Sequence, residues 1–251
     1  MNLLSHFACA RHLPPAVQAG SALGDLLPLY RRRVRPLPLA ERWSRDPDGA
    51  AELADVAEGV RFHLRVDSRF HRDPLFLETS GRISRALREA SAAPGLKRFF
   101  PAHILTEMFL DHLLMDQDPA LAGAFYDLFG GDTRELMTRF ASAHPETEPE
   151  EFARFLERFV RERFLEGYRD MEGVLRRAQR MLVRFGQREL EPGETAAVRR
   201  VLELDRETLR GQLLQFVGAM RHAVWAGRSA REESPAAEGR GATRSRVARA
   251  P

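Results

Sequence analysis

The chain has 251 residues, 43% hydrophobic and 30% charged, a length and balance that suit a globular protein with a sizeable core and exclude a predominantly disordered chain. A single cysteine, Cys9, excludes an internal disulfide framework; no uncharged apolar run approaches the ~18 residues of a membrane span, and the opening MNLLSHFACAR lacks the basic n-region of a signal peptide, so a reducing cytoplasm is the expected location. The net charge of +3 is matched by Arg228 to Pro251, which holds six Arg and three Glu; the neutral remainder argues against nucleic-acid binding despite a pI of about 9.6.

The predicted elements run as follows. An apolar N-terminal segment, NLLSHFACA, carries His6, and a second, GSALGDLL, carries Asp25. Arg31 to Asp48 holds three prolines and six arginines and reads as an irregular loop. Ala50 to Arg69 has Leu53, Val56, Val60 and Leu64 at helical steps, and Leu96 to Met115 repeats the pattern with Phe100, Ile104, Met108, Leu105 and Phe109. Gly130-Gly131 ends one helix, with Asp132 and Glu135 starting the next. Thr147 and Glu150 have the spacing of a capping box, with Pro149 in the first turn of a helix lined by Phe152, Phe155 and Phe159. A last helix spans about Thr195 to Trp225, with a break near Asp205, and the stretch from Arg228 reads as a disordered basic tail. No long alternating run marks a strand. The expectation is an all-α chain: a single helical domain over 1–227 and a tail over 228–251.

The sequence contains no phosphate-binding Gly-rich loop, no G-x-S-x-G and no H-E-x-x-H. Histidines and carboxylates on helices are what remain. His63 and Asp67 are four residues apart and share a helical face, about 5–6 Å apart at Cβ. That suits two ligands of one metal, a carboxylate orienting an imidazole, or a plain surface ion pair. His103, Glu107 and Asp111 form a stripe on another helix, which reads equally as a solvated face. His112 points about 100° away from Asp111. Asp25 among small and apolar residues is either a capping or turn residue or a functional one. His6 in its apolar segment suits a hydrogen-bonded core histidine as well as a ligand. Imidazole with carboxylate fits a hard or borderline cation, which lowers the pKa of water and neutralises charge on a phosphoryl oxygen.

Taken in order, MNLLSH, GSALGDLL, EGVRFHLRVDSRFHRDP, EMFLDHLL and YRDMEGVLRRAQRM resemble the acyl carrier protein phosphodiesterase family, over Met1 to about Met220. The resemblance implies an all-helical relative of the HD-type phosphohydrolases. It implies hydrolysis of the phosphodiester joining phosphopantetheine to a serine of acyl carrier protein, giving the apo carrier and 4'-phosphopantetheine, with a divalent metal, typically Mn, with Mg or Fe as alternatives. It implies a metal group drawn from Asp25, His63, Asp67, Asp111 and His112, and catalytic roles for Asp25, His63, Asp67, His6 and Arg65. Arg65 lies about 200° around the helix from His63 and suits a phosphoryl oxygen or a nearby carboxylate. Glu107 stands where the family usually has Asp, and His71 where an acid is common. The carrier substrate is acidic, so Arg31, Arg32, Arg33 and Arg35 are expected to form a docking patch. Two other readings stand beside this one: a hydrolase of a nucleotide or other small phosphoester, and a non-catalytic helical module that binds carrier protein.

Overall fold

The computed structural model describes residues 2–45, 51–91 and 99–223. Among them are twelve α-helices, one 3-10 helix and no strand. In chain order these are α1 (Leu3–Ala10), α2 (Pro15–Tyr30), α3 (Pro36–Arg45), α4 (Ala51–Phe70), α5 (Pro74–Ala90), α6 (Phe99–Gln117), α7 (Leu121–Asp127), α8 (Gly131–Ala141), α9 (Pro149–Glu162), the 3-10 helix Phe164–Arg169, α10 (Met171–Arg184), α11 (Pro192–Leu204) and α12 (Arg206–Ala223). None of the described helices is long and apolar enough to cross a membrane.

Local chemistry sets many of the boundaries. Proline occupies the first turn of α2, α5, α9 and α11, where its missing N–H is no loss. The Asp73 side chain accepts from the Leu75 N–H at the start of α5, and Asp170 from the Gly173 N–H at the start of α10. Such caps satisfy amides that a helix leaves unpaired in its first turn. The expected break at Asp205 is present: α11 stops at Leu204 and α12 starts at Arg206.

Two expectations are corrected. The segment after Arg31 is not an irregular loop, because Pro36 to Arg45 is helix α3. Two of its prolines, Pro36 and Pro38, sit in the first turn, where no intrahelical donor is required. Leu39 and Ala40 are buried, and the Trp43 indole N–H donates to the Phe140 carbonyl at 3.1 Å. The second correction concerns α9. Its N-cap is Glu148, without a side-chain cap bond, and the Thr147 hydroxyl is buried with no partner. Pro149 takes the first helical position, which shifts the cap one residue past the threonine. The capping box is at α11 instead, between Glu191 and Glu194. The tail expected from Arg228 lies outside the described residues.

Two helices form the centre. Every residue of α1 is buried. Both its ends are satisfied from elsewhere in the chain: the Asp111 carboxylate on α6 accepts from the Leu4 and Ser5 amides, and the Arg221 guanidinium on α12 donates to the Ala8 carbonyl. An anion at the N-terminus and a cation at the C-terminus also match the helix dipole. Helix α6 is apolar around most of its circumference, as a core helix must be. Helices α2 and α4 make the most extensive helix pair, and glycine permits it. A Cβ on Gly20 would lie 2.0 Å from the Val56 carbonyl oxygen, and one on Gly59 would lie 2.1 Å from the Val17 carbonyl oxygen. The two backbones therefore touch, and side chains on either side of the crossing are brought together.

Candidate metal centre

Four of the residues singled out in the sequence meet where α1, α2 and α4 converge. His6 of α1 and His63 of α4 stack with ring centroids 3.8 Å apart and planes 25° apart. His63 Nε2 is 3.8 Å from Asp25 Oδ1 on α2, and His6 Nε2 is 3.7 Å from Asp67 Oδ1 on α4. His6, Asp25 and His63 each offer a donor atom within 4.8 Å of the others'. The imidazoles form the floor, His6 being 1% exposed, and the carboxylates reach toward solvent, Asp67 being 35% exposed. The Gly24 position explains how the floor closes, since a Cβ there would lie 2.3 Å from the His63 ring.

Polar atoms in this group lack partners. Both ring nitrogens of His6, Nδ1 of His63 and Oδ2 of Asp25 are buried without a hydrogen bond. Buried polar atoms are almost always paired, and a cation taking one nitrogen from His6, one from His63 and one Asp25 oxygen is a partner this donor set fits. Electrostatics agree. Burial lowers the His6 pKa to about 4 and holds His63 well below the usual imidazole range. Both rings are neutral near pH 7 and keep a lone pair for a metal. Burial pushes the Asp25 carboxyl well above its ordinary range, with the charges of Glu107 and Asp67 adding to the effect; a bound cation reverses that tendency. Burial also opposes ionisation of Asp67, but the imidazoles beside it, His6 at 3.7 Å and His71 at 3.3 Å, help to prevail and hold it low.

The remaining expected residues are placed differently. Asp111 is fully buried, and its carboxylate accepts from the Leu4 amide at 3.2 Å, the Ser5 amide at 2.8 Å and the Ser5 hydroxyl at 2.5 Å. Burial lifts its pKa to about 7 against those hydrogen bonds. It anchors the first turn of α1, one residue before His6. His112 is not brought to the group. Its Nδ1 is 2.8 Å from the Tyr168 carbonyl oxygen and its Nε2 is 3.0 Å from the Arg206 guanidinium. The carbonyl can only accept and the guanidinium can only donate, so the ring is neutral with its proton on Nδ1. Arg65 is exposed and pairs with Glu58 at 2.6 Å. Arg31 bonds the Glu146 carbonyl and Glu151, while Arg32, Arg33 and Arg35 are exposed on the segment between α2 and α3.

Sequence reasoning left His71 out of the site and did not assign His103 or Glu107 to it. The structure joins all three to its rim. His71 Nδ1 is 3.3 Å from Asp67 Oδ2, and His71 and His103 each bring Nε2 within 3.3 Å of Glu107 Oε1. Hydrogen bonds to Asp67 and Glu107 raise the His71 pKa to about 9. Burial disfavours the Glu107 anion, yet hydrogen bonds with His103 and His71 help to hold it well below its ordinary range. The i, i+4 spacing of Asp67 with His71 and of His103 with Glu107 was the available signal. Two arginine-lined surface clefts around α9 and α10, bordered by Arg158, Arg177 and Arg184 and by Arg163, Arg176 and Arg180, contain none of these residues.

A sequence model of the family described as acyl carrier protein phosphodiesterase matches residues 1–220. No curated protein and no solved structure matches the chain.

Proposed function

The chain belongs to the acyl carrier protein phosphodiesterase family, and on that premise we propose that it is a metal-dependent phosphodiesterase that releases 4'-phosphopantetheine from the serine of holo acyl carrier protein. The observation that carries the reading is the set of orphaned donors on His6, His63 and Asp25 beside Asp67. These four residues would hold a divalent cation, Mn being the first candidate. A cation there would lower the pKa of water and neutralise charge developing on the phosphoryl oxygens.

The other residues support this group by position. Asp111 fixes the first turn of α1 and thereby His6. Gly24 leaves room for the His63 ring. His6 and His63, kept neutral by burial, suit ligation better than proton donation. The Asp25 and Asp67 side chains are 31% and 35% exposed, which leaves the group open at one edge to a phosphodiester presented on the surface of another protein. An acidic carrier would be steered by exposed arginines: Arg32, Arg33 and Arg35 lie between α2 and α3, on the segment that follows the helix bearing Asp25, and Arg65 shares α4 with His63 and Asp67. Rim charges of this kind raise the association rate and make it sensitive to salt.

The test is incubation of the protein and Mn with holo acyl carrier protein, followed by weighing the carrier by mass spectrometry. Conversion to the apo mass supports the reading. No change of carrier mass, with hydrolysis of a small phosphodiester instead, would favour the small-substrate alternative.

A further inference from the structure

His71, His103 and Glu107 aim three donor atoms at one point, and the reaction as proposed gives them no task. His71 Nε2 lies 3.3 Å from His103 Nε2 and 3.3 Å from Glu107 Oε1, and His103 Nε2 lies 3.1 Å from Glu107 Oε1. Ligands held about 2.0–2.1 Å from a tetrahedral zinc-type ion stand about 3.3 Å from one another, so the triangle already has the size of one face of such a site.

The tautomer is set as well. His71 Nδ1 is 2.9 Å from the Asp67 carbonyl oxygen. That oxygen can only accept, so Nδ1 carries a proton; a cation that displaces the second proton, the one on Nε2, would find the lone pair there aimed toward Glu107 and His103. A backbone carbonyl on the far nitrogen is the usual support of a metal-bound imidazole. His103 and Glu107 are one turn apart on α6, so their spacing comes from the helix itself. The Phe76 ring packs edge-on against both imidazoles, at 4.7 and 4.9 Å between centroids, and limits their rotation. All three side chains remain partly open to solvent, at 16–29%, which leaves a route in for an ion and an open coordination position.

We propose that His71, His103 and Glu107 form a second divalent-cation site, suited to a zinc- or manganese-type ion, with Asp67 as the wall it shares with the first group. One Asp67 oxygen faces His6 and the other faces His71. The site stands on its own three donors; its part in phosphodiester cleavage rests on the function proposed above, where a second cation would flank the phosphoryl group.

The test is metal stoichiometry on the full-length protein, stripped with a chelator, titrated calorimetrically with Mn or Zn salts, dialysed and weighed for metal by mass spectrometry. Wild type is expected to take up about two equivalents, and His103→Gln, Glu107→Gln and Asp25→Ala about one each. Circular dichroism verifies that each variant is folded, and the two substitutions on α6 serve as replicates of one another. Full wild-type content in His103→Gln and Glu107→Gln overturns the second site; if Asp25→Ala alone lowers the content, the first centre survives that failure. Loss confined to the α6 variants sustains the second site and counts against the first. No uptake by wild type overturns both.

Discussion

Gly24 on α2 lies flat against the imidazole of His63 on α4, so close that a methyl group at position 24 would overlap the ring at 2.3–2.5 Å. The centre therefore depends on a missing side chain as much as on those present. Gly24→Ala is expected to push His63 off its position and lower turnover by about 100-fold, the scale of a 1 Å misplacement, with a stability loss of about 1–3 kcal/mol from overpacking. Gly20→Ala meets backbone and not a ring, so it is expected to destabilise the α2–α4 crossing more and to act on turnover through that. Thermal melts paired with single-turnover assays separate the two. Full activity in Gly24→Ala would remove the argument.

Asp25→Ala is expected to reduce turnover by about 100-fold or more, because a cation contributes several kcal/mol and each 1.4 kcal/mol is tenfold. The fold should survive. The Asp25 carboxyl resists ionisation when the cation is absent, so in chelator-treated protein the substitution should leave the melting temperature unchanged or raise it. Retained activity in the purified variant would refute the role.

Asp111 is a cap in three dimensions, holding the start of α1 from α6. Asp111→Asn keeps the shape but turns one acceptor into a donor facing an amide or the Ser5 hydroxyl. The expected loss is about 1–3 kcal/mol, the penalty for an unsatisfied buried group, measured by urea unfolding. Ser5→Ala removes one hydrogen bond of the three and should cost less, about 1 kcal/mol. An Asp111→Asn protein as stable as wild type would contradict the capping role.

The Arg188–Glu194 pair gives a pH signature. The guanidinium donates to both Glu194 oxygens at 2.7 Å, and the Glu191 amide donates to one of them at 2.9 Å. The Arg188 hydrogen bonds lower the Glu194 pKa from 4.5 to about 2. A depressed carboxylate contributes stability that is fully present above the unfolded pKa and lost as pH falls toward the folded one. Glu194→Gln is therefore expected to cost up to about 3 kcal/mol at neutral pH. The difference from wild type should shrink as pH drops from about 5 toward 2. Denaturant midpoints at several pH values test this, and a gap that widens in acid would contradict it.

The exposed arginines should govern encounter and leave the chemical step alone. Arg32→Ala with Arg35→Ala is expected to raise KM and flatten the salt dependence of kcat/KM, with kcat kept. Arg65→Ala, whose ion pair with Glu58 is exposed, should change stability by no more than about 1 kcal/mol. Steady-state kinetics across a salt series decides whether the arginines between α2 and α3 or Arg65 carry the docking, and an unchanged salt slope in both variants would exclude them.

The sequence alone carried the all-helical class, the break at Asp205 and the family, through an ordered series of motifs. It also carried the pairs internal to one helix, because 3.6 residues per turn puts His63 beside Asp67 and His103 beside Glu107 wherever the helix lies. The helix at Pro36–Arg45 was hidden, since proline in a first turn looks the same in a sequence as proline in a loop. Tertiary structure alone decided which of these faces meet. The stacking of His6 on His63, the anchoring of α1 by Asp111, the turn of His112 toward Tyr168 and the entry of His71 beside Glu107 all depend on how helices cross. That crossing is set by contacts between distant backbones, such as Gly20 against Val56, and local periodicity holds no record of them.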